Sequence, residues 1–110
     1  MKMPYCSSAN IAIEKITEYL LSLSHPRGSM KARWFNTLGY DIQKPNELVE
    51  SLLSLACLDV QASEETDYGT KYVIVGNITG PNGRSAKVKT IWILTVGNVA
   101  PKLVTAYPSK

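Results

Sequence analysis

Apolar positions along this chain recur first at helical and then at alternating spacing. Ile13, Ile16, Leu20 and Leu23 form one stripe, widened by Ile11 and Leu21, while Glu14, Lys15, Thr17 and Glu18 take the other face. That period predicts an amphipathic helix of about three turns. It must stop near Ser24, because Pro26 disfavours helical geometry at His25. His25-Pro26-Arg27-Gly28 reads as a turn. Ser29 then caps a second helix, in which Met30, Trp34 and Leu38 form one apolar line with Phe35 beside it, and Gly39 supplies the left-handed end. Pro45 suits the first turn of a third helix, where its missing N–H costs nothing, and Leu48, Leu52, Leu55 and Ala56 give the buried stripe.

After the polar, acidic stretch 59–67, read as a surface loop or irregular edge, the period changes to two. Tyr72-Val73-Ile74-Val75 is a strand by composition, and Gly80-Pro81-Asn82-Gly83 is a hairpin turn. On the returning strand Ala86, Val88, Thr90, Trp92 and Leu94 point one way, and Lys87, Lys89, Ile91 and Ile93 the other. Gly97-Asn98 turns the chain again, and Pro101 marks the start of a last strand ending near Tyr107. The expected fold is α+β: two to three N-terminal helices packed on a three- to four-stranded antiparallel meander. The chain is read as a single domain, 1–110, with an N-terminal arm (1–10), a helical part (11–58) and a β meander (68–108).

Composition adds limits. Hydrophobic content of 45% and charged content of 19% fit a folded chain with its own core. No apolar run reaches membrane-spanning length, and MKMPYCSSAN lacks the apolar centre of a signal peptide. The chain is read as having its own start and no delivery segment. Cys6 and Cys57 are expected to be reduced thiols, Cys57 buried on a helix and Cys6 in a loose lead, which points to the cytoplasm. No zinc-type cluster and no Walker loop occurs, so neither a metal nor another cofactor is expected.

Charge is distributed unevenly. All nine acids lie between Glu14 and Asp67, whereas Tyr68 to Lys110 carries Lys71, Arg84, Lys87, Lys89, Lys102 and Lys110 with no acid, inside a net charge of +3. A sheet with a cationic face attracts polyanions, and Lys87 and Lys89, roughly 7 Å apart along one strand, can track successive phosphates. His25 is the sole histidine, next to Arg27, Lys31 and Arg33 at a helix N-terminus. Histidine is eligible for acid–base work near neutrality, but a turn residue whose ring satisfies a nearby carbonyl accounts for it equally. Tyr68, Tyr72, Trp92 and Tyr107 are rings on which bases can stack, although core packing is the simpler role for Trp92. Thr70, Tyr72 and Thr105 can donate hydroxyls to a phosphate, and Thr105 shares a face with Tyr107. The acids Asp41, Asp59, Glu64, Glu65 and Asp67 reach such a site only if their loops fold across it.

His25-Pro26, Lys31-Ala32-Arg33, Tyr68-Gly69-Thr70-Lys71-Tyr72, Gly80-Pro81-Asn82-Gly83-Arg84, Thr90-Ile91-Trp92 and Leu103-Val104-Thr105-Ala106-Tyr107-Pro108 together resemble a small bacterial domain of unknown function, common in cyanobacteria. The resemblance spans about Ile13 to Pro108, and its motif positions are His25, Lys31, Arg33, Tyr68, Thr70, Lys71, Arg84, Thr105 and Tyr107. At the level of architecture the chain is also similar to barnase–EndoU–colicin–RelE-like ribonuclease toxins, which implies an active site on an open sheet face. Two readings stay open. One is a toxin-like, metal-independent endoribonuclease with His25, Lys71 and Tyr107 catalytic and Lys31, Arg33, Tyr68, Thr70, Arg84, Lys89 and Thr105 binding substrate. The other is a non-catalytic module binding nucleic acid or an acidic protein. The partners implied are RNA and a small acidic antitoxin or immunity-like protein, with no membrane; an exposed edge after Pro101 would also permit a homodimer.

Overall fold

The computed structural model describes residues 1–27 and 29–109, so Gly28 of the expected turn and Lys110 of the basic stretch lie outside the described residues. A 3-10 turn (Cys6–Ser8) leads to α1 (Ile13–Lys15), which continues as a π-helical turn (Ile16–Leu20). Two α-helices follow, α2 (Ser29–Asn36) and α3 (Pro45–Leu53), and then strands β1 (Ala62–Thr66), β2 (Gly69–Thr79), β3 (Ser85–Thr95) and β4 (Lys102–Pro108). The strands form one antiparallel sheet in the order β1-β2-β3-β4. The α+β expectation holds, and the acidic stretch supplies the fourth strand as an exposed edge.

One sheet face is covered. Tyr72, Ile74, Ile78, Val88, Trp92, Leu103 and Ala106 pack there against Ile16, Leu20, Leu21, Phe35, Leu48, Leu52 and Leu55. Trp92 is fully buried, and its indole N–H donates to Thr90 Oγ1 at 2.8 Å, while the Thr90 hydroxyl donates to the Ile74 carbonyl at 2.7 Å. This relay satisfies the ring's polar edge inside the core.

The first helix is shorter than its apolar stripe suggests. Leu21 N–H donates to the Ile16 carbonyl at 2.8 Å, a five-residue step that brings Leu21 into the core and leaves Ile13 and Leu23 exposed. The line Met30–Trp34–Leu38 is buried only at Leu38, just past the end of α2. Ala32 and Phe35 face the core, Met30 is 79% exposed and Trp34 is half-buried. Gly39 has φ 95°, as expected of the left-handed end.

The hairpin tip fixes the far end of α2. Asn82 N–H donates to the Leu38 carbonyl at 3.3 Å, its side-chain amide to the Thr37 carbonyl at 3.0 Å, and a Cβ on Gly80 would lie 1.9 Å from Leu38 O. Only glycine permits this approach, which sets the position of α2 against β4.

The reading of the cysteines is overturned. Cys6 and Cys57 form a disulfide with Cα atoms 5.2 Å apart, and Cys57 is exposed in the turn after α3 rather than buried on a helix. Spacing of 51 residues gave no sign of it, because the fold brings the arm back. Nor is the arm loose: Met3 is buried, Lys2 bridges to Asp59, and Asn10 pairs with the start of β4. The reduced-thiol argument for a cytoplasmic setting falls with it. Among the described residues no helix is long and apolar enough to cross a membrane.

Candidate functional site at the β4 margin

The other sheet face carries Lys71, Val73, Lys87, Lys89, Ile91, Thr105 and Tyr107, all partly or fully exposed. Its geometry turns on a β-bulge. The pairing slips between Ile91 and Trp92, so that Ile91 opposes Thr105 while Trp92 opposes Leu103, with Val104 as the surplus residue. Leu103 stays in the core, and Thr105 and Tyr107 emerge on the open face.

Past the β4 edge, the π turn brings Tyr19 to this face. Its hydroxyl lies 3.2 Å from Thr105 Oγ1. The ammonium groups of Lys31 and Lys15 lie 5.4 and 5.6 Å from the Tyr19 ring centre, and His25 meets that ring edge-on at 5.0 Å. Burial pushes the Tyr19 phenol up, but the hydrogen bond from Thr105, a hydrogen bond and charge from Lys31, and the charge of Lys15 outweigh it, so its pKa falls below the usual tyrosine value. Lys15, Tyr19, His25, Arg27, Val104 and Thr105 line one cavity of about 420 Å³. Among the described residues both ion pairs form at Asp59, from the N-terminus and Lys2, so Lys15, Lys31 and Lys89 have no carboxylate within salt-bridge distance.

The His25 ring takes part in its turn. Nδ1 accepts the Arg27 backbone N–H at 2.9 Å. A neutral imidazole so held carries its proton on Nε2.

The residues singled out from sequence divide into three sets. His25, Lys31, Thr105, Tyr107 and Lys89 converge: Lys31 spans from Tyr19 to an apolar groove shared with Tyr107, and Lys89 Nζ lies 5.9 Å over the Tyr107 ring. Lys71 lies in an adjoining cavity of about 290 Å³ that shares Val104 with the first, so it is on the face of His25 but two strands, about 10 Å, from β4. There it pairs across strands with Glu64, which brings an acid onto the otherwise acid-free face. Arg33, Tyr68, Thr70 and Arg84 stay apart. Arg33 is exposed about 200° around α2 from Lys31. Tyr68 and Arg84 sit at turns at opposite ends of the sheet, and Thr70 alternates with Lys71 onto the covered face with Tyr72.

Sequence reasoning missed Tyr19 and left Lys15 as solvated surface. The available signal was the i, i+4 spacing of Lys15 and Tyr19, a cation one turn from a ring. Among the described residues no group of three His, Cys, Asp or Glu side chains could hold a metal ion.

Comparison with known proteins gives one family and one shared fold. The family described as Domain of unknown function (DUF6883) matches residues 2–110. A chain of the contact-dependent growth inhibition toxin–immunity protein complex from Klebsiella pneumoniae 342 superposes with a TM-score of 0.74 at 15% identity, over 96% of this chain and 97% of that one. At that identity the likeness establishes the fold. No curated protein matches the chain.

Proposed function

The chain belongs to the family of the Domain of unknown function (DUF6883), and from that premise we propose that it is a toxin-like endoribonuclease cleaving RNA without a metal ion. The observation that carries this reading is the Tyr19–Thr105 hydroxyl pair, set between Lys15 and Lys31 in a cavity that includes His25. An RNA phosphate seated there meets cations that offset the charge building on its oxygens. The Tyr19 phenolate takes the proton of the ribose 2′-hydroxyl, and the 2′-oxygen bonds to the adjacent phosphorus. The 5′-oxygen bond breaks, and that oxygen takes a proton from water; the hydroxide so formed recovers the proton held by Tyr19, while His25 Nε2–H donates a hydrogen bond to a phosphoryl oxygen. The products are a 2′,3′-cyclic phosphate and a 5′-hydroxyl, with no net gain or loss of protons. Thr105 orients the phenol. Lys31, Lys15 and Lys89 bind phosphates, while Lys71 holds the strand farther across the sheet. The solved relative of the same fold comes from a toxin–immunity protein complex, which supports a toxin's role and a small acidic immunity-like partner for the cationic face.

The test is incubation of the purified protein with total RNA in EDTA, beside Tyr19→Phe and His25→Ala variants. Cleavage by the parent, reduced about a hundredfold or more in Tyr19→Phe, is expected. RNA left intact by the parent would sink the nuclease and leave the second reading, a binding module. For that module, affinity for RNA falling steeply with salt marks a polyanion ligand, and a flat response marks a protein partner or none.

A further inference from the structure

Exposed Met30 and Trp34, which packs at the margin of the core, line with Lys31, Tyr107 and Pro108 a groove of about 590 Å³. The catalytic cavity does not use this groove. We propose that it seats an unpaired nucleobase of the bound strand, which makes single-stranded RNA the substrate class. The proposal rests on the nucleic-acid reading above.

Three observations carry it. Two aromatic side chains form its walls: Trp34, held edge-on by the buried Phe35 ring at 5.0 Å and 72°, and Tyr107 from β4. A flat apolar ring between such walls gains stacking whatever its identity. The charges at its margin are cationic, Lys31 in the lining and Lys89 over Tyr107, and among the described residues no acid lines it. An apolar peptide or lipid chain would have no use for both cations, whereas a base arrives with a phosphate attached. Lastly, the groove neighbours the reaction site, because the Lys31 ammonium that lies 5.4 Å from the Tyr19 ring belongs to the same side chain that lines the groove. A phosphate at Tyr19–Thr105 and a ring in the groove thus flank one lysine. A duplex keeps its bases inside the stack and cannot offer one here.

The two tryptophans make the test selective, since Trp92 is fully buried and Trp34 is not. The probe is a short 2′-O-methyl oligoribonucleotide, which cannot supply the attacking hydroxyl, compared with an abasic chain of equal length. Binding of the first should quench tryptophan emission, and binding of the second should not. Trp34→Leu should bind the oligonucleotide about five- to a hundredfold more weakly and the abasic chain as the parent does. Unquenched emission with the oligonucleotide bound overturns the proposal, and this reading on the parent does not depend on the variant folding. Sedimentation as a dimer with Trp34 already shielded before nucleic acid is added also overturns it, in favour of a second copy of the chain. RNA cleavage without quenching removes the base site and keeps the nuclease; quenching without cleavage of unmodified RNA does the reverse.

Discussion

Opening the Cys6–Cys57 bridge should cost this protein a large part of its stability. The cross-link joins positions separated by 51 residues, so it removes the closure entropy of a loop of that length from the unfolded chain. The chain-entropy relation gives about 14 cal/mol/K, or about 4 kcal/mol at 25 °C. Small domains are stable by roughly 5–15 kcal/mol in all, so the bridge ranks with the whole margin of a weak one. The native contacts of the arm, Met3 in the core and Asn10 against β4, remain in the reduced protein, so the loss falls on the unfolded-state side. Equilibrium urea unfolding followed by tryptophan emission should show the midpoint falling by about 1–4 M in a Cys6→Ser/Cys57→Ser variant, and equally in parent protein kept reduced. Coincident midpoints would refute the reasoning. So would two titratable thiols in the unreduced protein unfolded in urea, which would mean that the bridge does not form.

Replacing Lys31 by Gln removes one of the cations that hold the Tyr19 phenol below its usual value, so the alkaline rise of RNA cleavage should move to higher pH; a pH–rate profile read up to about pH 10 checks the direction. Thr90→Val leaves the buried Trp92 N–H without its acceptor and should destabilise by about 1–3 kcal/mol, measured as a urea midpoint shift with unchanged far-ultraviolet circular dichroism. Gly80→Ala forces a Cβ into the Leu38 carbonyl and should cost about 2 kcal/mol or more, with faster amide exchange in α2 as the hairpin tip lets go.

Much of the architecture was legible. Pro26, Gly39, Pro45 and the Asn82-Gly83 pair marked where elements begin and end, and the alternation along β3 assigned Lys87 and Lys89 to the face opposite Trp92. These are local signals, each carried by a few neighbouring residues. What escaped depended on non-local geometry. The π turn shifts the first helix by one residue and presents Tyr19, which its stripe did not single out. The disulfide needs the arm to return across the molecule. The pairing of Glu64 with Lys71 depends on an acidic edge strand that charge counting along the chain separated from the basic half. The apolar line through Met30 and Trp34 was visible, but amphipathic spacing cannot tell a face turned to the core from one turned to a groove.

The surplus residue at Val104 makes the last strand a counter of residues. Sidedness in a strand has only two values, and Val104 is the one residue the count can spare: with it removed, Leu103 would join Thr105 in plain alternation, Leu103 and Ala106 inward, Thr105 and Tyr107 outward. Straightening the strand at unchanged length would do the opposite, turning Thr105 and Tyr107 under the sheet with Leu103 and displaying Ala106, so both hydroxyls reach the surface only while the extra residue is bulged out or absent.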